Sequence, residues 1–171
     1  MIRHARLILR TTLAAALIAV GCTKSPPSPP PAAAPPLTIT AAADARTSAP
    51  MTIAASADTN PDASGRPSPV VIRVYQLRTD AAFTNAEFFA LFDDEQKVLG
   101  QELISRDEFM LAPSERRTLN VTVAPDARFV GAIAAFRDIR NAQWRGIVPA
   151  PRNGLTVSIE RARVLLTPAA K

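Results

Sequence analysis

Ser68-Pro69-Val70-Val71-Ile72-Arg73-Val74-Tyr75-Gln76-Leu77 is the stretch on which the fold turns. Proline is kept out of central strands, so Pro69 marks a start, and the β-branched and aromatic run Val70–Leu77 then reads as a strand. Working outward, shorter β runs lie between turn signals on both sides. Upstream, Met51–Ala57 is a weak first strand. Downstream come Glu102–Leu111, stopped at Pro113, and Arg117–Val123, which places Leu119, Val121 and Val123 on one face and Thr118, Asn120 and Thr122 on the other. Arg128–Arg137 is rich in small apolar residues and is expected to be buried on both faces. Gln143–Val148, Leu155–Glu160 and Arg163–Thr167 complete the set. Seven or eight strands at this spacing predict a mainly β fold, a two-sheet antiparallel β-sandwich. About 120 residues suffice for one core and not for two.

One short helix is expected within this pattern. Thr84-Asn85-Ala86-Glu87 fits a capping box, with Thr84 as N-cap, and Phe83 and Phe88 fall where a hydrophobic staple would sit. Phe88, Leu91 and Phe92 extend one apolar face. A helix of about ten residues does not persist alone in water, so it must dock on the sandwich.

The first residues belong to export. Arg3, Arg6 and Arg10 precede an apolar run from Thr11 to Val20, which suits a signal peptide and is too short for a permanent membrane helix. The segment ends in Ala19-Val20-Gly21-Cys22, with small residues just before the single cysteine. A lone thiol in an exported chain has no disulfide partner, and acylation of Cys22 gives it a use. Two or three acyl chains anchor a protein where one binds only marginally. Thr23 stands where an aspartate would favour retention in the inner membrane, so an outer-membrane, periplasm-facing location is expected. From Ser25 to Pro36 the chain is proline, alanine and serine, an extended tether with a reach of ~35–40 Å at about 3.1 Å per residue. Leu37-Thr38-Ile39-Thr40 is either a strand or the end of that tether. The chain thus divides into a signal peptide over 1–21, the lipidated cysteine and tether over 22–50, and the sandwich over 51–168, its upstream limit open as far back as Thr47.

Composition narrows the function. The formal charge of +5 loses three arginines with the signal, leaving 17 basic against 15 acidic residues. That balance offers no concentrated basic face for nucleic acid. Arg137, Arg140, Arg145 and Arg152 cluster in sequence but read as solvated strand faces and turns. The only histidine, His4, leaves with the signal, which excludes Ser-His-Asp and Cys-His catalysis and the common zinc sites. Asp93-Asp94-Glu95 reads as a solvated helix end, and Asn120-Val121-Thr122 matches a glycosylation sequon by chance. No catalytic residue, metal or cofactor is expected.

The segment from Asp58 to Pro69 remains. Pro61, Pro67 and Pro69 restrict it, and a restrained loop binds a partner with little ordering cost. Composition alone leaves a binding loop and a long partnerless connection equally open.

Together these blocks resemble the outer-membrane lipoprotein family of the bacterial type VI secretion system, the TssJ (VasD/SciN/Lip) family. The resemblance is carried by Asn60-Pro61-Asp62, Gly65-Arg66-Pro67, the Ser68–Leu77 run, Phe83, Phe88-Phe89, Leu99-Gly100 and Pro113. It continues through Gly131-Ala132-Ile133-Ala134-Ala135-Phe136-Arg137-Asp138 and Trp144-Arg145. It implies a transthyretin-like sandwich with an added helix and no enzymatic activity. It also implies binding to the periplasmic C-terminal region of TssM, which associates with TssL. The loop between the first two strands contributes to that contact in the family, which points here to Asn60, Pro61, Asp62, Ser64, Gly65, Arg66 and Pro67. The chain departs from the family in its long alanine- and proline-rich stretch before the first strand. The competing reading is a lipid-anchored periplasmic module for cell-wall glycan or a small ligand, which requires exposed aromatics such as Trp144 and Tyr75 around a concave site. A periplasmic enzyme using carboxylates alone needs a separated acid pair in an apolar setting, and none is evident.

Overall fold

Alternation along the strands builds two four-stranded sheets. The computed structural model describes residues 47–170; the expected signal peptide, Cys22 and most of the tether lie outside the described residues. The strands are β1 (Thr47–Ala55), β2 (Val70–Leu77), β3 (Leu103–Leu111), β4 (Arg116–Val123), β5 (Phe129–Ala134), β6 (Arg145–Pro149), β7 (Leu155–Ile159) and β8 (Val164–Pro168). One sheet has the order β4-β1-β7-β8 and the other β3-β2-β5-β6. All neighbours are antiparallel except β1 and β7, which run parallel from Met51 opposite Leu155 to Ala55 opposite Ile159.

The inner faces meet in one core. Met51 and Ile53 of β1 and Val157 and Ile159 of β7 pack against Ile72 and Val74 of β2 and Ala132 and Ala134 of β5. Leu119 and Val121 join from β4, while Thr118, Asn120 and Thr122 are exposed, as their alternation predicts. β5 is buried on both sides. Its other face contributes Ile133 to a second cluster with Tyr75, Leu77, Phe83, Phe88, Leu91 and Leu99.

That second cluster lies under helical turns, and here the structure corrects the sequence. The single capped helix is instead three short ones, α1 (Ala81–Asn85), α2 (Phe88–Asp93) and α3 (Glu95–Leu99). Thr84 lies inside α1 rather than at an N-cap, and α2 has Glu87 at its start with no side-chain cap. The break has a tertiary cause. Arg145 donates from one nitrogen, Nη1, to the carbonyls of Phe83 at 2.9 Å and Ala86 at 2.8 Å, taking up backbone acceptors at the junction of α1 and α2. Phe83 and Phe88 are both buried, in one cluster with Tyr75, Leu77 and Ile133 of the sheet. The Phe83 ring needs Gly131, because a Cβ there would lie 2.7 Å from it. Of the acidic run, Asp94 accepts from the Lys97 amide and caps α3. Glu95 is not solvated: it pairs with Arg73 at 3.1 Å and Arg106 at 2.9 Å.

β1 begins at Thr47, before the expected Met51. Pro50 is accommodated within the strand because the β7 ladder begins only at Met51, so no ladder bond on that flank calls for a Pro50 amide.

Gly131→Ala is expected to lower unfolding stability by roughly 1–3 kcal/mol, because Phe83 must be displaced from a packed site. Urea denaturation checks it, and an unchanged midpoint would show that the helical cover adapts freely.

Candidate functional site

The loop joining β1 to β2 is built on a buried shoulder and an exposed tip. Asn60 has a positive φ of 48°, a conformation that asparagine tolerates better than most residues. It is only 4% exposed, and all of its polar groups are engaged. Its amide donates to the Arg161 carbonyl at 2.9 Å and its Nδ2 to the Pro69 carbonyl at 2.7 Å. Its Oδ1 accepts from the Arg137 amide at 2.8 Å, and its carbonyl accepts from the Ser68 hydroxyl. Thr59 Oγ1 adds a bond to the Glu160 carbonyl at 3.0 Å. The loop is therefore fastened to the β5–β6 connection and to the β7–β8 turn.

The tip is shaped by Asp62. Its Oδ1 accepts from the amides of Ser64 at 2.8 Å and Arg66 at 3.0 Å, while Oδ2 accepts from the Arg66 Nε at 2.9 Å. The Gly65 amide closes a turn onto the Asp62 carbonyl at 2.8 Å. Gly65 supplies the φ of 80° that this turn needs. The Arg66 amide above all, with the Ser64 amide and the Arg66 and Arg137 guanidiniums, holds the Asp62 carboxyl below its usual 3.8 despite some opposing desolvation. Such a charge organises the loop at neutral pH and loses its effect as pH falls through the lowered value.

The expected site residues thus separate. Ala63, Ser64, Gly65, Arg66 and Pro67 are exposed, with the Arg66 side chain 80% accessible. Pro61 and Asp62 are half-buried. Asn60 presents nothing outward. Ser68, Arg137 and Arg161, which were not among the expected site residues, adjoin it; Ser68 lies within the expected Asp58–Pro69 loop, Arg137 stood among arginines read as solvated, and Arg161 carried no signal. An open depression of about 500 Å³ lies between the loop, Phe136–Asp138 and Arg161–Ala162.

The aromatics required by a glycan module are elsewhere. Tyr75 is fully buried, its hydroxyl on Glu95 at 3.2 Å. Burial, ahead of the Glu95 charge, pushes its phenol well above the usual tyrosine range. Trp144 is half-buried, packed edge-on against Phe88 with the Arg145 guanidinium over its ring. The apolar slot between the sheets near Met51, Val74 and Val130 holds about 20 Å³, room for a water and not a sugar.

Asn60→Ala is expected to destabilise the protein by roughly 1–3 kcal/mol, since two part-buried backbone groups lose their bonds and alanine resists positive φ. Thermal unfolding checks this. The amide shifts of Ser64 and Arg66 are expected to hold from neutral pH to about pH 4 and to change below it, with Asp62→Asn abolishing that transition.

Comparison with known proteins agrees with this architecture. The family described as "Type VI secretion lipoprotein, VasD, EvfM, TssJ, VC_A0113" matches residues 47–167. No curated protein sequence matches the chain. Among solved structures, the type VI lipoprotein TssJ1 of Pseudomonas aeruginosa is 32% identical, with a TM-score of 0.69 over 74% of this chain and 98% of that one. Lip of Serratia marcescens, a membrane-bound component of the type VI secretion system, is 27% identical, with a TM-score of 0.66 over 74% and 99%. A chain of a type VI membrane complex is 25% identical, with a TM-score of 0.64 over 71% and 98%. The chain belongs to the type VI secretion lipoprotein family.

Proposed function

We propose that this lipoprotein is the outer-membrane post of a type VI secretion membrane complex. It is exported, cut before Cys22, acylated there and held on the outer membrane facing the periplasm. Through the β1–β2 loop it binds the periplasmic C-terminal region of TssM, and through TssM it is joined to TssL. The role is structural, in keeping with a family of secretion lipoproteins, and asks no chemistry of the chain.

The observation that carries this reading is the placement of the loop. The polypeptide arriving from Cys22 enters β1 at Thr47, and the loop leaves β1 after Ala55. Nine residues of strand at about 3.3 Å each separate entry from loop by ~30 Å. The point where the chain enters the sandwich and the restrained loop therefore lie at opposite ends of β1. Asp62, Gly65 and the buried shoulder hold the tip in one shape before any partner arrives, which lowers the entropy lost on docking.

Cys22→Ser is expected to abolish secretion while leaving the melting temperature of the folded part unchanged; secretion at normal levels would remove the anchor from the mechanism. Calorimetry with the TssM periplasmic region tests the loop. Asn60 is a poor target, because its loss unfolds the shoulder. Combined Ser64→Ala, Arg66→Ala and Pro67→Ala changes at the tip are expected to weaken binding about tenfold or more. Undiminished binding would move the contact elsewhere on the protein.

A further inference from the structure

The β1–β2 loop shares its end of the sandwich with two segments distant in sequence, and their arginines are placed for binding. Arg137 is positioned from two sides: its amide donates to Asn60 Oδ1 at 2.8 Å and its Nε to Ser68 Oγ at 2.9 Å. Its two terminal nitrogens have no acceptor among the described residues. Arg161 is exposed, with its backbone fixed by the Asn60 amide at 2.9 Å. Its side chain makes no ion pair or hydrogen bond among the described residues. Both arginines line the 500 Å³ depression.

The carboxylates beside that depression are already engaged. Asp62 is taken by Arg66 and two amides. Asp138 accepts from Asn141 Nδ2 through both oxygens, at 3.0 and 2.9 Å. Arg137 thus feels the Asp62 charge only at a distance, without an ion pair, and the Arg161 guanidinium is unpaired among the described residues.

We infer that this depression is a recess for a carboxylate side chain of the partner protein, with Arg137 and Arg161 as its two cationic walls. The inference rests on the docking role proposed above and adds a second, sequence-remote part to the contact. A guanidinium fork matches a carboxylate in two parallel hydrogen bonds. Pro61, Ala63 and Phe136 also line the recess and suit the methylenes of a glutamate. Asp62 and Asp138 lie close enough to repel a phosphate dianion more strongly than a single-charged carboxylate.

The test uses the full mature lipoprotein in detergent and the TssM periplasmic region, by calorimetry at two salt concentrations. Arg161→Gln is the primary variant, because its side chain holds nothing within the fold. Arg137→Gln is the second, and Arg152→Gln, in the β6–β7 connection at the opposite end, matches the charge change. Arg161→Gln and Arg137→Gln are each expected to weaken binding about tenfold or more and to flatten its salt dependence, while Arg152→Gln alters neither. Wild-type affinity in both recess variants, or an equal loss in Arg152→Gln, would overturn the recess and leave the docking role standing.

A separate arm does not depend on TssM. Tetraglutamate is expected to shift the arginine Nε–H signals of the wild-type chain and not those of Arg161→Gln, whereas tetraglutamine and inorganic phosphate shift neither. If wild type fails to bind TssM, the docking role falls and this arm alone judges the recess. No shift with tetraglutamate overturns it, and an equal shift with phosphate overturns the carboxylate assignment.

Discussion

The Asn60 side chain donates to one segment and accepts from another, and the loop end of the sandwich is organised around that pair of bonds. Its backbone reaches the β7–β8 turn of one sheet, and its Oδ1 reaches the β5–β6 connection of the other. Packing between the sheets is apolar and carries little directional information. A buried amide supplies the direction. At the opposite end Gln76 does the same, leaving the inner face of β2 to donate to the Thr122 carbonyl and accept from the Ala124 amide, both at 2.9 Å. Two buried amides, one near each end, thus fasten the sheets to each other. Losing either would leave part-buried backbone groups unpaired, and both side chains are committed to the fold.

The strands were largely legible in the sequence because alternation is a local property with a large physical consequence. A residue in β4 or β7 faces the core or water according to its parity, and Leu119, Val121, Val157 and Ile159 follow that rule. The double burial of β5 was equally readable, since a strand covered on both faces has no place for polar alternation. The helix was misread because its ending depends on Arg145, some sixty positions away. A local capping pattern at Thr84 loses to a guanidinium that binds two carbonyls and to Phe83, which must enter the space left by Gly131.

The candidate site divides along the same line. Its proline-limited loop was visible as composition, and its tip residues are exposed as a binding loop requires. The distinction between shoulder and tip was not visible. Asn60 and Arg66 look alike as polar loop residues, yet one is buried at 4% exposure and the other extends into solvent with 80% of its side chain accessible. Arg137 and Arg161 join the loop only through hydrogen bonds that close long stretches of chain. The helical cover, by contrast, lies on the outer face of the sheet containing β2 and β5. There Arg73 pairs with Glu95 and Glu108 and stacks on Phe92, fixing the cover without approaching the loop.

The pairing of β1 has a mechanical consequence. β1 lies between β4 and β7, bonded along one flank to an antiparallel neighbour and along the other to a parallel one. In the proposed role, lipid pulls at its first residue and the partner pulls just beyond its last. Tension then runs along the strand axis, and slippage requires both ladders to shear together instead of unzipping bond by bond. The strand that positions the loop is also the one aligned to transmit force through the domain.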